Sequence, residues 1–514
     1  MTRTVELGRS GVRLDDVVAV ARHGAAVRLT PDAFEAMAAG RAVVERLADA
    51  AEPAYGISTG FGALATRHIP PERREELQRS LIRSHASGMG APVEREVVRA
   101  LMFLRTKTLA SGRTGARPVL AETLVGMLNA GITPVVPEHG SLGCSGDLAP
   151  LAHCALVMMG EGAVLGASPD EHVPAARALA AAGLEPVRLA AKEGLALING
   201  TDGMLGLLAL ALHDLELLLR TADVTAAMTV EALLGTDRVF RPELHTPLRP
   251  HPGQAVSADN MYRVMAGSEI VASHREGDPR VQDAYSCRCA PQVAGAARDA
   301  VAHASEVAGR ELAATIDNPV VLDSGEVSSN GNFHGAPLGY VMDYLAIAVA
   351  DVGSMAERRT DRLLDPARSH GLPAFLAEDP GVDSGLMIAQ YTQAAMVSEN
   401  KRLATPASVD SIPTSAMQED HVSMGWASGR KLRRAVENLR RILAVELVAA
   451  ARALDLRAPL GPAPATAAVV AALRQTVPGP GADRAGAPEL AAAEAFVAAG
   501  GVTEAAGAVA GPIR

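Results

Sequence analysis

Aromatic residues make up only 3% of this 514-residue chain, with a single tryptophan, and cysteine is scarcer still at four. Four cysteines spread over such a length (Cys144, Cys154, Cys287 and Cys289) form no disulfide framework and read as reduced thiols. Cys287-x-Cys289 lacks the spacing and the second ligand pair of a zinc site, and no His/Cys/carboxylate cluster shows ligand spacing, so no metal is expected. Positive charge is short as well: the formal net charge is -10 and no basic block stands out, which argues against a nucleic-acid partner. An uninterrupted apolar span is also missing. The most apolar run, 204–220, is broken by His213, Asp214 and Glu216, so it reads as a buried helix and not as a membrane crossing. The start, MTRTVELGRSGVRLDDVV, lacks the charged-then-apolar pattern of a secretion signal. A soluble cytoplasmic protein is expected.

Alanine, leucine and glycine are plentiful, which points to helices packed through small side chains. Four segments carry the pattern: 203–235, 291–314, 336–364 and 427–455. In the last, Leu432, Val436, Leu439, Leu443 and Leu447 recur at three- to four-residue steps, with most of the arginines off that stripe. At about 1.5 Å per residue these helices would each run roughly 35–50 Å, a length best buried in a bundle. Residues 1–110 are mixed, with short β-like runs at 12–20 and 26–29, and 476–488 reads as a Pro/Gly linker before an alanine-rich helical tail. The expected fold is mainly α: a smaller mixed N-terminal domain, 1–112, followed by a long-helix bundle domain, 113–514.

Seven polar, glycine-containing islands interrupt the helices: YGISTGFG (55–62), SHASGMG (84–90), the run 140–153, LINGTDG (197–203), QDAYSCRCAPQ (282–292), SSNGNFHG (328–335) and SAMQEDHVSMG (415–425). Functional residues concentrate on loops held by rigid scaffolds, so several islands are expected to share one pocket. The third, GSLGCSGDLAPLAH, is the most informative. It is no nucleophile elbow, because Asp147 and not glycine stands two residues after Ser145, and no phosphate loop, because no lysine follows. Taken alone, Cys144-Ser145-Gly146-Asp147 is a glycine turn with Asp147 capping the next helix.

The whole run closely resembles the signature of the ammonia-lyases and aminomutases that build a 4-methylidene-imidazol-5-one (MIO) from three of their own residues. All seven islands match that family in order, across 55–425. The resemblance implies that Gly146 N attacks the carbonyl carbon of Cys144, and that loss of water from Ser145 leaves an exocyclic methylidene. In the family the first residue of the tripeptide is usually alanine. Only the backbone carbonyl of Cys144 enters the ring, so its side chain is a bystander to cyclisation. No external cofactor is implied.

The resemblance assigns further roles. Tyr55, on a mobile loop, becomes the base for the β-proton, with its phenol depressed from an ordinary pKa near 10. Tyr285 steadies the MIO or the departing ammonia, Arg288 clamps the substrate carboxylate, and Asn199 donates a further hydrogen bond. Gln282 and Phe333 fall on active-site positions of the family. The resemblance further implies a homotetramer whose helices pack into a central bundle and whose active sites combine residues from three subunits.

His85 and Glu419 bear on the substrate. A carboxylate accepts an imidazole N–H, whereas a phenyl ring would leave it buried and unpaired at about 2–5 kcal/mol. SHASG and QEDHVSMG, as they stand here, resemble the histidine branch of the family, implying L-histidine as substrate and trans-urocanate as product. A tyrosine ammonia-lyase or tyrosine aminomutase is the alternative, since His85 could bond a phenol. A non-catalytic helical assembly protein is the remote one, disfavoured because Tyr55, Ser145, Asn199, Tyr285, Arg288 and Glu419 are all present.

Overall fold

The computed structural model describes residues 3–50, 56–57, 59–60, 69–168 and 171–514. It is mainly α, and the long helices lie where the periodicity places them: Asp202–Ala232, Ala290–Ala313, Ala336–Leu364 and Gly425–Asp455. Leu432, Val436, Leu439, Leu443 and Leu447 are all buried, so that stripe faces the core. The apolar window within Glu193–Ala232 is buried completely inside the protein, which agrees with a core helix.

One early segment differs from expectation. Residues 12–20 read as β-like, but Leu14–Ala21 is a helix. Its first turn carries Asp15 and Asp16, which suit the positive end of the helix dipole, and the Asp16 carboxylate accepts from Arg13 N–H at 3.0 Å. Val17, Val18, Val20 and Ala21 are buried together against the helix Arg95–Ala110. From Val17 to Ala21 every residue is apolar, and such a run has no period to separate the two structures. The 26–29 strand is present, paired in parallel with Thr4–Leu7.

The chain forms two compact units. The first comprises Met1–His213, Ser305–Asp343 and Pro406–Arg430, so residues 1–112 fall within it. Its centre is Arg95–Ala110, buried along nearly its whole length and packed on Leu14–Ala21 and Pro118–Asn129. Leu148–Met158 packs on Arg74–His85 and on Glu193–Ile198. An antiparallel pair, Met89–Pro92 with Pro137–His139, starts four residues after His85 and ends just before Gly140, which brings two of the islands side by side. Two ion pairs are enclosed in this unit: Arg105 Nε lies 3.0 Å from Asp202 Oδ2, and Lys192 Nζ lies 2.6 Å from Asp317 Oδ2.

The second unit comprises Asp214–Ala304, Tyr344–Thr405 and Lys431–Arg514. Its tail is helical as expected, in two pieces, Gly486–Ala498 and Gly501–Ala510, the latter packed on Pro464–Leu473.

Candidate active site

Five of the seven islands meet in the first unit, around Ser145. Gly143 O accepts from Gly335 N–H at 3.0 Å and from Ser423 Oγ at 2.9 Å, and Met424 N–H donates to Leu142 O at 2.9 Å. Asp147 N–H donates to Gly200 O at 2.7 Å. The 84–90 island joins through Gly88 N–H, which donates to His153 Nε2 at 3.1 Å. Phe333 is half-buried in the turn that ends at Gly335.

Packing dictates glycine at the third tripeptide position. Gly146 has φ of +80°, and a Cβ there would lie 2.1 Å from Gly200 O. Gly200 in turn could carry no side chain, because a Cβ would lie 1.6 Å from Arg105 Nη2. The buried Arg105–Asp202 pair therefore forms a plate behind the turn, and the turn is pressed against it. A tight turn closed by Gly146, with Cys144 buried and Ser145 half-buried at its tip, fits residues that must close on one another.

Asp147 behaves differently from the expected cap. It stands at the N-cap position, just before Leu148–Met158, yet its side chain makes no bond to that helix. Its carboxylate accepts from Ser141 Oγ at 2.8 Å and from Met204 N–H at 2.9 Å, so it caps Asp202–Ala232 instead. It is fully buried, and desolvation pushes its pKa up to about 7.

Glu419 is aimed at the tripeptide. Ser145 Oγ donates to Glu419 Oε1 at 3.1 Å, and Cys144 Sγ donates to Glu419 Oε2 at 3.0 Å. Thr414 Oγ1 also donates to Oε2, at 2.9 Å. Backbone bonds between Thr414 and Glu419, at 3.0 and 3.2 Å, close the loop between them. Within it Ser415, Ala416 and Met417 have φ of 52°, 52° and 69°, a conformation that costs about 1–3 kcal/mol at each non-glycine residue and that the Thr414–Glu419 closure holds in place. Burial, and then the Glu419 carboxylate, push the Cys144 thiol up to about 12, so it is a donor at ordinary pH.

His85 ends the helix Arg74–His85, and its Nδ1 lies 2.9 Å from Leu81 O. A carbonyl can only accept, so the proton sits on Nδ1 and Nε2 is left as an acceptor. Burial lowers the His85 pKa, while the Leu81 carbonyl and the Glu419 charge act the other way.

Asn199 Nδ2 donates to Asn318 O at 3.0 Å, and Oδ1 is buried with no partner among the described residues. The expected donor is thus engaged, and the open atom is an acceptor, which suits an ammonium better than a carboxylate.

Gln282, Tyr285 and Arg288 belong to the second unit. Tyr285 and Gln282 are exposed, and Arg288 Cζ stands 4.7 Å from the Tyr285 ring centroid. Arg288 Nε is buried without a partner among the described residues, leaving a free donor on a cation. Arg359 Nη1 supports this turn by donating to Ser286 O at 3.2 Å. Tyr55 lies outside the described residues.

Thr414, Ser141 and Arg105 escaped the sequence reading. Ser141 lies within the 140–153 run, six residues before Asp147, and so carries a local signal. Thr414 and Arg105 carry no local signal, because their partners are five and 97 residues away.

The family described as aromatic amino acid lyase matches residues 12–475. The chain is 67% identical over 513 residues to a histidine ammonia-lyase of Streptomyces coelicolor, covering 99% of this chain and 100% of that one. A tyrosine aminomutase from Streptomyces globisporus superposes with a TM-score of 0.93 at 37% identity, over 98% of this chain and 99% of that one. A histidine ammonia-lyase from Trypanosoma cruzi does so with a TM-score of 0.90 at 38% identity, over 98% and 95%.

Proposed function

The chain belongs to the aromatic amino acid lyase family, and from that premise we propose that it is a histidine ammonia-lyase, a carbon–nitrogen lyase converting L-histidine to trans-urocanate and ammonia. The observation that carries the reading is Glu419, held against both Ser145 and Cys144 with the acceptor-bearing His85 close enough to feel its charge. An imidazole ring offers an N–H to a carboxylate. A phenyl ring offers neither group a partner, at a cost of about 2–5 kcal/mol for the stranded charge. A phenol could satisfy His85 but would set its electron-rich ring beside Glu419, so tyrosine is the poorer fit.

The tight glycine turn supports a tripeptide that cyclises, and MIO would be held by Cys144, Ser145 and Gly146. Its chemistry there is that of an electrophilic carbon that makes the substrate amine a better leaving group. The chain's own residues do the rest. Glu419 and His85 orient the imidazole. Arg288, with its free Nε, binds the carboxylate, and Asn199 Oδ1 accepts from the amine. Tyr55 takes the β-proton and Tyr285 steadies the departing ammonia, while Gln282 and Phe333 line the pocket. In this reading residues 1–112 supply Tyr55 and His85, and 113–514 supply the ring-forming turn.

A cytoplasmic homotetramer without membrane or nucleic-acid partners completes the proposal. Tyr340, Tyr344 and Ile347 form an exposed stripe on one helix, as a helix destined for a subunit contact would. Product identity is the direct test. L-histidine should yield the absorbance of urocanate, and faster formation of coumarate from L-tyrosine would overturn the substrate assignment. The intact mass should fall short of the translated sequence by two waters, and a full mass would overturn the MIO assignment.

A further inference from the structure

The two oxygens of Glu419 have partners of different permanence. Oε2 is bonded by Thr414 Oγ1 at 2.9 Å and by Cys144 Sγ at 3.0 Å. Oε1 is bonded by Ser145 Oγ at 3.1 Å. Dehydration of Ser145 removes that hydroxyl as water: the Cα–H proton and the Cβ–O bond are lost, and a carbon–carbon double bond remains. Cyclisation touches only the backbone carbonyl of Cys144, so the thiol survives with its bond to Oε2.

We propose that Cys144 and Thr414 clamp Oε2 of Glu419 so that Oε1, vacated when Ser145 loses its hydroxyl, is presented to the imidazole N–H of the substrate. The side chain that the sequence left as a bystander is thereby a positioning residue for substrate selection. The inference rests on the histidine and MIO reading above. Three features support the clamp. Cys144 is only 7% exposed and packs with Val422 and Met424, so its sulfur has little room to turn away. Burial and Glu419 hold it as a thiol, which donates and does not attack the neighbouring electrophile. Both clamping donors are neutral, so the carboxylate keeps its charge for the ligand. With one oxygen fixed, rotation about the terminal bond of Glu419 is arrested, and the free oxygen points one way.

The test uses Cys144→Ala, Cys144→Ser and Thr414→Val in the full-length enzyme. All three should lose two waters by intact mass, since none alters the ring-forming backbone. Cys144→Ala should raise KM for L-histidine about three- to tenfold with a smaller change in kcat, as expected for one hydrogen bond to a charged group from a weak donor. Cys144→Ser, which restores a donor, should recover most of the loss, and Thr414→Val should shift KM in the same direction as Cys144→Ala. Binding is read separately by calorimetry of L-histidine in Ser145→Ala protein, which cannot turn it over. There Cys144→Ala should weaken binding by the same factor, and should add nothing once Glu419→Gln is also present. An unchanged KM in Cys144→Ala, a serine variant no better than the alanine one, or an equal effect in the Glu419→Gln background would each overturn the clamp. If wild-type protein yields no urocanate or keeps both waters, it is the underlying functional reading that fails, not the clamp alone.

Discussion

In the second unit Glu446 is fully buried and accepts from Arg359 Nη2 at 3.1 Å, from Thr225 Oγ1 at 2.8 Å and from Thr229 Oγ1 at 3.3 Å, with Arg359 Nε as a further donor. In the first unit Glu419 is half-buried and receives a thiol and two hydroxyls, none of them charged. The residue type is the same and the uses are opposite. A carboxylate matched by a buried guanidinium has its charge consumed within the core, where it fixes the helix packing of Gly425–Asp455. A carboxylate held by neutral donors is oriented but not neutralised, so its charge remains available to a ligand. Asp147 stands between them: fully buried like Glu446, served by neutral donors like Glu419, and driven up to about 7 by a desolvation that its hydrogen bonds offset only in part.

The largest effect expected comes from Ser145→Ala. It removes one donor from Glu419 and leaves the charge in place, yet it should abolish turnover, because alanine has no hydroxyl to lose as water. The variant should melt within a few degrees of wild type by circular dichroism, and retained turnover would end the MIO reading.

Glu446→Ala is expected to lower stability by about 3–5 kcal/mol, because Arg359 would be left as an uncompensated buried charge. A fall in thermal or urea midpoint measures it. A small shift would show that Glu446 is not the structural partner the comparison makes it.

Glu419→Gln should do the reverse, lowering kcat/KM for L-histidine about 10²-fold with a stability change within about 0.5 kcal/mol. Steady-state rates with a parallel melt decide it. If Glu419→Gln unfolds the protein while leaving its rates intact, the contrast between the two carboxylates collapses.

The smallest effect is a slope. The Asp147 pKa is raised in the folded state from 3.8 to about 7, so its neutral form favours folding. That contribution is fully present below 3.8 and is lost as pH rises through about 7. Asp147→Asn should flatten the dependence of the melting midpoint on pH across this window. An unaltered slope would mean that Asp147 does not titrate there.

The long helices were legible because their apolar residues recur at the helical period, as in Leu432 to Leu447, and a period survives without any knowledge of the partner surface. The 12–20 segment was not, because Val17, Val18, Val20 and Ala21 are buried together and leave no polar face to reveal the period. The candidate site divides in the same way. Ser145, Gly146 and Glu419 were visible as motif residues, whereas the engagement of Asn199 Nδ2 by Asn318 and the choice of helix that Asp147 caps depend on distant chain segments.

By itself the sequence determined the chemistry on offer: a Cys-Ser-Gly turn able to cyclise, two tyrosines, an arginine, and the His85 and Glu419 pair suited to an imidazole. These are properties of residue types and of neighbours along the chain. The tertiary structure decided what each group is free to do. It pressed Gly146 against Gly200 in front of the Arg105–Asp202 pair, turned Asp147 toward a helix that starts 55 residues later, and set the Cys144 thiol on Glu419. Hydrogen bonds and desolvation act over a few ångströms through space, whatever the separation along the chain, and one-letter code does not record that distance.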